Sequence, residues 1–331
     1  MINTIYVERA ARQYARTDRI LSRFPRARVI ECDRYAELFN RAGQNFRLQK
    51  SNPALILAEK QGEYVLEAPL EYSVGGQHNY YFSHMLNCVY DCRYCFLQGM
   101  YRSANYVLFV NYESFMQAIA KITAKHGGEP AWFFSGYDCD SLALEPVTRF
   151  AGEFLPFFED TENAWLELRT KSTQVRALRE FKPIPRVVCA FSFTSEAPAR
   201  AFEHKVPAVN KRIQAMAALQ NQGWKVALRF DPLILHRDWQ AHFEDLCQRI
   251  FSQVNPRLVH SVCIGTFRVP ADYFRQMRRL YPEEQLFIAG VTEEAGAFGY
   301  TGEVDRCMRD DAGSILSRWL SVEQIFEMKH D

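Results

Sequence analysis

The stretch Tyr80-Tyr81-Phe82-Ser83-His84-Met85-Leu86-Asn87-Cys88-Val89-Tyr90-Asp91-Cys92-Arg93-Tyr94-Cys95-Phe96 decides how this chain is read. Its apolar start reads as a strand. Three cysteines follow in a C-x3-C-x2-C spacing, with an aromatic immediately before the third. Three thiolates can hold three irons of a [4Fe–4S] cluster, whereas a cluster of that type that only carries electrons usually has four. A three-cysteine site leaves one iron open to bind and reduce a substrate or cofactor. The alternatives are a structural zinc completed by a ligand elsewhere, or three unrelated buried thiols.

Outward from this stretch, apolar runs at 80–86, 131–135, 165–169, 186–193, 225–230 and 258–264 alternate with amphipathic stretches at 112–126, 144–158, 172–181, 206–222, 238–254 and 270–281. Such alternation implies a parallel sheet, because parallel neighbours need crossover connections. Curled, it makes an α/β fold, a full or partial (β/α)6 barrel whose active site lies at the C-terminal ends of the strands. The cysteine run follows the first strand and so falls on that rim. Residues 71–290 are assigned to the barrel. Residues 1–70 read as an N-terminal extension of short helices and a hairpin, made by the apolar runs 54–58 and 64–68. Residues 291–331 form a C-terminal extension, with a glycine-rich loop and a helix expected at 315–328.

The chain has 331 residues, 48% hydrophobic and 24% charged, which suits a globular protein with a substantial core. Forty basic and thirty-nine acidic residues give a net charge of +1, so bulk charge does not announce nucleic-acid binding. No apolar run approaches the ~18–20 residues of a membrane span. The first residues lack the basic start and apolar stretch of a signal peptide. Nine cysteines, an odd number, do not suggest a disulfide framework. A reducing cytosol is the expected home, and the thiolate ligands need one.

The spacing of the cysteines, with Tyr94 before the third and a strand before the first, resembles the radical SAM superfamily. There the open iron chelates S-adenosylmethionine (SAM), and reduction yields methionine and a 5′-deoxyadenosyl radical that abstracts hydrogen. More narrowly, the chain is similar to the spore photoproduct lyase family, a radical SAM group that repairs a thymine dimer in DNA. The similarity rests on 87–98, on Leu168-Arg169-Thr170-Lys171, on Ala190-Phe191-Ser192-Phe193-Thr194-Ser195, and on 231–239.

That resemblance implies a [4Fe–4S] cluster on Cys88, Cys92 and Cys95, with Tyr94 near the adenine. Lys171 and Ser192 become SAM contacts at strand ends. A lysine suits the methionyl carboxylate as a point charge, and a serine hydroxyl can donate to ribose or carboxylate. Asp140 falls where the family has an acidic residue near the cofactor, although an acid after a strand is also a common helix cap. The implied partners are DNA or another nucleic-acid substrate, and a reductant such as flavodoxin or ferredoxin.

Some positions depart from the family pattern. The family has a hydrogen-donating cysteine just after strand two; here Tyr137 stands there, with Cys139 two residues on, so the donor is Cys139 or Tyr137. The tyrosine that follows the last cluster cysteine in the family is Phe96 here, which has no transferable O–H. Gly127-Gly128-Glu129-Pro130 resembles a SAM-binding GGEP sequence, but it precedes strand two. A helix-ending glycine turn explains it better, and Ser135, with Gly136, is the better cofactor contact. Arg229 and Asp231 flank Phe230 and should both point into the barrel as a pair. In 298–309, where the family has a basic DNA-contacting hairpin, Glu303 and Asp305 dilute Arg306 and Arg309. Phosphate contacts dominate DNA affinity, so an RNA, peptide or small-molecule substrate stays open. The basic segment 10–28 reads as a nucleic-acid face or, as charge runs usually are, a solvated helix face.

Overall fold

Each apolar run of the alternation is built around a strand in the computed structural model, which describes residues 2–69, 72–287 and 290–328. The chain opens with β1 (Thr4–Glu8), α1 (Ala15–Ser22), β2 (Arg28–Cys32), α2 (Phe46–Ser51) and β3 (Leu55–Ala58). β4 (Leu66–Glu67) and β5 (His78–Phe82) lead into the cysteine region, which holds β6 (Met85–Leu86), β7 (Asp91–Cys92), α3 (Leu97–Met100) and β8 (Tyr106–Phe109). There follow α4 (Tyr112–Lys125), β9 (Ala131–Ser135), α5 (Glu145–Thr148), α6 (Phe150–Asp160), β10 (Ala164–Thr170), α7 (Arg176–Arg179) and β11 (Val187–Ser192). The next elements are α8 (Glu196–Phe202), β12 (Glu203–His204), α9 (Val209–Gln222), β13 (Lys225–Leu233), α10 (Trp239–Phe251) and β14 (Val259–Thr266). The chain closes with β15 (Arg268–Pro270), α11 (Ala271–Leu280), β16 (Thr292–Glu294), β17 (Ala297–Gly299), α12 (Gly302–Leu316) and β18 (Ile325–Glu327).

Strands β5, β9, β10, β11, β13 and β14 pair in parallel in chain order, giving the expected partial barrel. β11 shows why. Val187, Cys189 and Phe191 face the outer core under the helices, and Val188 and Ala190 face the inner one. A strand buried on both faces belongs in a parallel sheet covered by helices. The inner core is made largely of small side chains, Val188, Ala190, Ala227 and Cys263, beside Trp132 and Phe134. Glycine 76 closes the fit at Trp132, since a Cβ there would meet the indole at 2.4 Å.

Elsewhere the structure corrects the reading. The hairpin between 54–58 and 64–68 does not form. Leu55, Ile56, Leu57 and Ala58 are all fully buried, the mark of a central strand with two neighbours. β3 accordingly pairs in parallel with β1 and β8, whereas the exposed β4 takes the edge of the barrel sheet against β5. The strands between Thr4 and Ala58 thus belong to a second sheet, ordered β2-β1-β3-β8-β6. The run 80–86 is split between the two sheets, so the cysteine loop sits at their seam. The helix expected at 144–158 breaks at Arg149, whose φ is 52°. The tail helix lies earlier than expected, at α12, and β18 adds in parallel to β14. The boundary placed at 70/71 lies outside the described residues. Among the described residues, no helix is long and apolar enough to cross a membrane.

Candidate active site

A cleft of about 200 Å³ opens at the C-terminal strand ends and brings together Cys88, Cys92, Cys95, Tyr94, Tyr137, Cys139, Asp140, Lys171 and Ser192. Its rim is contributed by Gly136 after β9, Thr170 and Lys171 at β10, Ser192 at β11, Asp231 on β13 and Phe267 after β14. Ser135 is not in it. Its hydroxyl donates to the Glu167 carbonyl at 2.8 Å and lies 2.8 Å from the Ser141 hydroxyl, so it is spent inside the sheet. Gly136 lines the cleft instead, at φ 81°, where a Cβ would come within 2.6 Å of Ser141 Oγ. Gly127 and Gly128 have φ of 60° and 103° just past α4, and Glu129 meets His78 at the opposite end of the barrel. That motif is the turn expected of it.

The cysteine loop is shaped from outside itself. The buried Lys50 of α2 donates from Nζ to the carbonyls of Cys88 (3.3 Å) and Tyr90 (3.2 Å). Asn87, at φ 67°, donates to the carbonyls of Ser103 and Asn105. On the other side β7 pairs with β12, which sets Cys92 opposite Glu203, and the Arg93 N–H donates to the Phe202 carbonyl at 2.8 Å. Burial pushes all three thiols up, Cys88 to about 12, and the neighbouring thiols add to the effect on Cys88 and Cys92. Lys171 pulls Cys92 and Cys95 down, and Lys50 does the same for Cys88 and Cys95. A bound metal inverts this balance, because a coordinating thiol is deprotonated outright. Among the described residues, no three His, Cys, Asp or Glu side chains gather closely enough to hold one ion, and all nine cysteines are unbridged. Three thiols on one cleft, with two ammonium groups beside them, fit a cluster bound by three cysteines.

Asp140 spends both carboxylate oxygens on the protein. Oδ1 accepts from Thr170 Oγ1 (2.7 Å), Leu142 N (3.0 Å) and Ala143 N (2.9 Å), and Oδ2 accepts from Lys171 N at 2.6 Å. It therefore braces the loop after β9 against the end of β10 and sets the start of the Lys171 side chain. The Lys171 ammonium lies 5.4 Å from the centroid of the Tyr94 ring. Tyr94 is buried, and its hydroxyl donates to Glu203 and lies 3.2 Å from Thr194 Oγ1. The carbonyl of Ser192 accepts from Arg212 Nη1 at 2.9 Å.

Cys139 and Tyr137 both face the cleft. Burial pushes the Tyr137 phenol up to about 12 and raises the Cys139 thiol as well. Both groups therefore keep their hydrogen at neutral pH. The Tyr137 ring lies 4.4 Å from Tyr81 and 5.6 Å from Phe96, and Phe96 lies 6.5 Å from Tyr273.

The expected Arg229–Asp231 pair does not form. Arg229, fully buried, binds both oxygens of Glu167 (3.1 and 2.5 Å) and Ser261 Oγ (3.1 Å). Glu167 also points inward from β10 and reaches Arg229 first. Arg169 continues the chain, 3.1 Å from Glu167 and 3.8 Å from Asp231, with its guanidinium 4.2 Å from the Tyr72 ring. Burial works to raise the Glu167 carboxyl, but Arg229 and Arg169 outweigh it and hold it below its ordinary value. Two cations and two carboxylates thus satisfy one another, with Arg169 and Asp231 on the cleft lining and Arg229 and Glu167 behind it.

The surfaces expected to meet nucleic acid are less basic than the sequence suggests. In the segment 10–28, Arg16 pairs with Glu113 (2.9 Å) and with Glu153, and Arg19 pairs with Glu153 at 2.6 Å. Both are taken up internally. Arg309 is held by Asp305 (2.9 Å) and Glu327 (2.7 Å). The hairpin of β16 and β17 carries Glu293 and Glu294, and Glu293 binds Arg275 through both oxygens at 2.8 and 2.9 Å. Arg268 lines the cleft and makes no ion pair among the described residues. Lys50, Glu203 and Arg212 were not anticipated as parts of the site. Each looks in sequence like an ordinary solvated charge, and no local pattern marks it.

A family model described as spore photoproduct lyase matches residues 1–312. Among curated proteins, the spore photoproduct lyase of Bacillus subtilis (strain 168) is 22% identical over 204 residues, 60% of this chain and 59% of that protein. The chain's match thus spans less than two thirds of that relative. The spore photoproduct lyase of Geobacillus sp. (strain Y412MC61) is 23% identical over 250 residues, 72% of this chain and 73% of the relative. Among solved structures, a spore photoproduct lyase mutant with bound AdoMet and dinucleoside spore photoproduct superposes with a TM-score of 0.86 at 16% identity, over 100% of this chain and 99% of that one. A spore photoproduct lyase complexed with dinucleoside spore photoproduct gives 0.84 at 16% identity, over 99% and 98%. These likenesses establish the shared fold.

Proposed function

From the premise that the chain belongs to the spore photoproduct lyase family, we propose that it is a radical SAM enzyme that repairs a thymine-dimer lesion in DNA, working in a reducing cytosol. The observation that carries this is the meeting of Cys88, Cys92 and Cys95 with Lys171, Ser192, Cys139 and Tyr137 in one cleft at the strand ends. A [4Fe–4S] cluster on the three thiols would supply reductive cleavage of SAM, giving the radical that starts the reaction. The residues around it have separate tasks. Lys171 neutralises the methionyl carboxylate, Ser192 offers a hydroxyl, and Tyr94 presents its ring to the adenine. The lining of Tyr72, Phe96 and Tyr137 excludes water from a reactive carbon radical. Cys139 or Tyr137, each protonated at neutral pH, hands a hydrogen atom from sulfur or oxygen to the product radical, and an electron from the reductant with a proton from solvent restores the S–H or O–H.

A specific observation favours a second reading. The hairpin beside the cleft presents Glu294, and its Glu293 is joined to Arg275, which suits a substrate without a phosphate backbone, such as a peptide or small molecule. Anaerobic reconstitution with iron and sulfide, followed by reduction with SAM and ultraviolet-irradiated spore-type DNA, separates the two. Release of 5′-deoxyadenosine with loss of the thymine dimer is expected. Cleavage of SAM with the dimer intact would remove the repair reading. A cluster-loaded protein that neither releases 5′-deoxyadenosine nor removes the dimer would remove both.

A further inference from the structure

We propose that Glu203 is a positioning residue for the SAM site, tying the cysteine loop to the cofactor-facing end of β11 so that the three thiols and Ser192 hold one fixed arrangement. The inference rests on the SAM-cleaving reading above. Glu203 stands opposite Cys92 in the β7–β12 ladder, and its side chain and that of Arg212 are each only 1% exposed. One carboxylate oxygen accepts the Tyr94 hydroxyl from the cysteine loop. The other accepts Arg212 Nη2 at 2.5 Å, and Arg212 Nη1 donates to the Ser192 carbonyl at 2.9 Å. The guanidinium also lies 5.6 Å from the Phe193 ring centroid, which restricts its swing.

A continuous chain of hydrogen bonds therefore runs from the residue before Cys95 to Ser192, through two ionic groups shut off from water. Glu203 is absent from the cleft lining, as is Arg212. Their part is to fix a separation. On that reading the cluster and Ser192 contact the same SAM molecule, and a displacement of about 1 Å between such groups can cost about 100-fold in rate.

The test uses the full chain, reconstituted anaerobically, with Glu203→Gln and Tyr94→Phe. The glutamine keeps an acceptor but removes the charge facing Arg212. The phenylalanine removes only the hydroxyl, which points away from the cleft. Iron content, equilibrium SAM binding, the SAM-induced change in the electron paramagnetic resonance spectrum of the reduced cluster, and melting of the metal-free protein are measured together. The expected result for Glu203→Gln is wild-type iron content with the Kd for SAM raised about 10- to 100-fold and a broadened spectral change; Tyr94→Phe shifts both in the same direction by less. Lower melting temperatures with unchanged SAM affinity and an unchanged spectral response would overturn the proposal, leaving an ordinary structural ion pair. Should Glu203→Gln fail to fold, wild-type SAM binding by Tyr94→Phe overturns it alone. A wild-type protein that holds iron but neither binds nor cleaves SAM would instead defeat the reading on which the inference rests.

Discussion

Asp140→Asn changes one atom of a buried brace. The amide oxygen can keep the three donors on Oδ1, namely Thr170 Oγ1, Leu142 N and Ala143 N. The new NH2 then faces Lys171 N–H, whose 2.6 Å bond to Oδ2 is lost to a donor–donor clash. A hydrogen bond to a charged group contributes about 1.5–3 kcal/mol, and the orphaned buried N–H adds its desolvation, so the expected loss is about 2–3 kcal/mol. With a urea slope of roughly 3 kcal/mol/M, the unfolding midpoint of the metal-free, reduced protein falls by about 0.7–1 M. Because the brace fixes the backbone of Lys171, SAM binding weakens in parallel. Two outcomes refute this reasoning. Full stability with weakened SAM binding would mean that the carboxylate touches the cofactor directly. Lost stability with unchanged SAM affinity would mean that Lys171 does not depend on the brace.

Other substitutions probe different parts of the fold. Burial raises the Glu145 carboxyl from 4.5 to about 7, against the N–H donors of Ala151 and Gly152. The folded state thus prefers the protonated acid, and stability falls as pH rises through this window, by about 3 kcal/mol once above it. Measured against Glu145→Gln, whose amide does not titrate, the parent is expected to lose about 3 kcal/mol between about pH 4 and about pH 8 in urea unfolding; parallel profiles contradict this. At Gly99 a Cβ would lie 2.1 Å from the Tyr273 carbonyl oxygen, backbone that cannot yield, so Gly99→Ala should part α3 from α11 at a cost of about 3 kcal/mol. Thermal melting checks it, and an unchanged transition counts against the close approach. Lys50→Met keeps the unbranched apolar stem but leaves the Cys88 and Tyr90 carbonyls without their charged donor, a loss of about 2–3 kcal/mol in the loop. Iron should then pass to a chelator faster than from the parent protein, and an equal rate would show that the loop holds its shape unaided.

The barrel was legible because its strands announce themselves locally. Ala131-Trp132-Phe133-Phe134-Ser135 is buried along its whole length, and amphipathic stretches of helical length flank it. The cysteine cluster was legible for the same reason, as its spacing is contiguous. What the sequence hid was non-local. Leu55-Ile56-Leu57-Ala58 looks the same whether it turns back as a hairpin or crosses to β8, and only its complete burial settles the matter. Arg229 met Glu167 from two strands away rather than Asp231 beside it, because a barrel interior brings several inward residues within reach. Lys50 and Glu203 bear on the loop from far along the chain in each direction, where no spacing rule operates.

The clamp on the cysteine loop also has a consequence for the order of assembly. During synthesis Cys88, Cys92 and Cys95 leave the ribosome long before Glu203 pairs opposite Cys92 and before Lys205 Nζ reaches the Lys50 carbonyl at 3.0 Å. A nascent chain ending at α6 already carries all three thiols and none of the strand that spaces them. Iron arriving then would meet a flexible thiol-rich segment; iron arriving after β12 has docked meets a finished socket. A socket of fixed spacing therefore exists only once the barrel is more than half built.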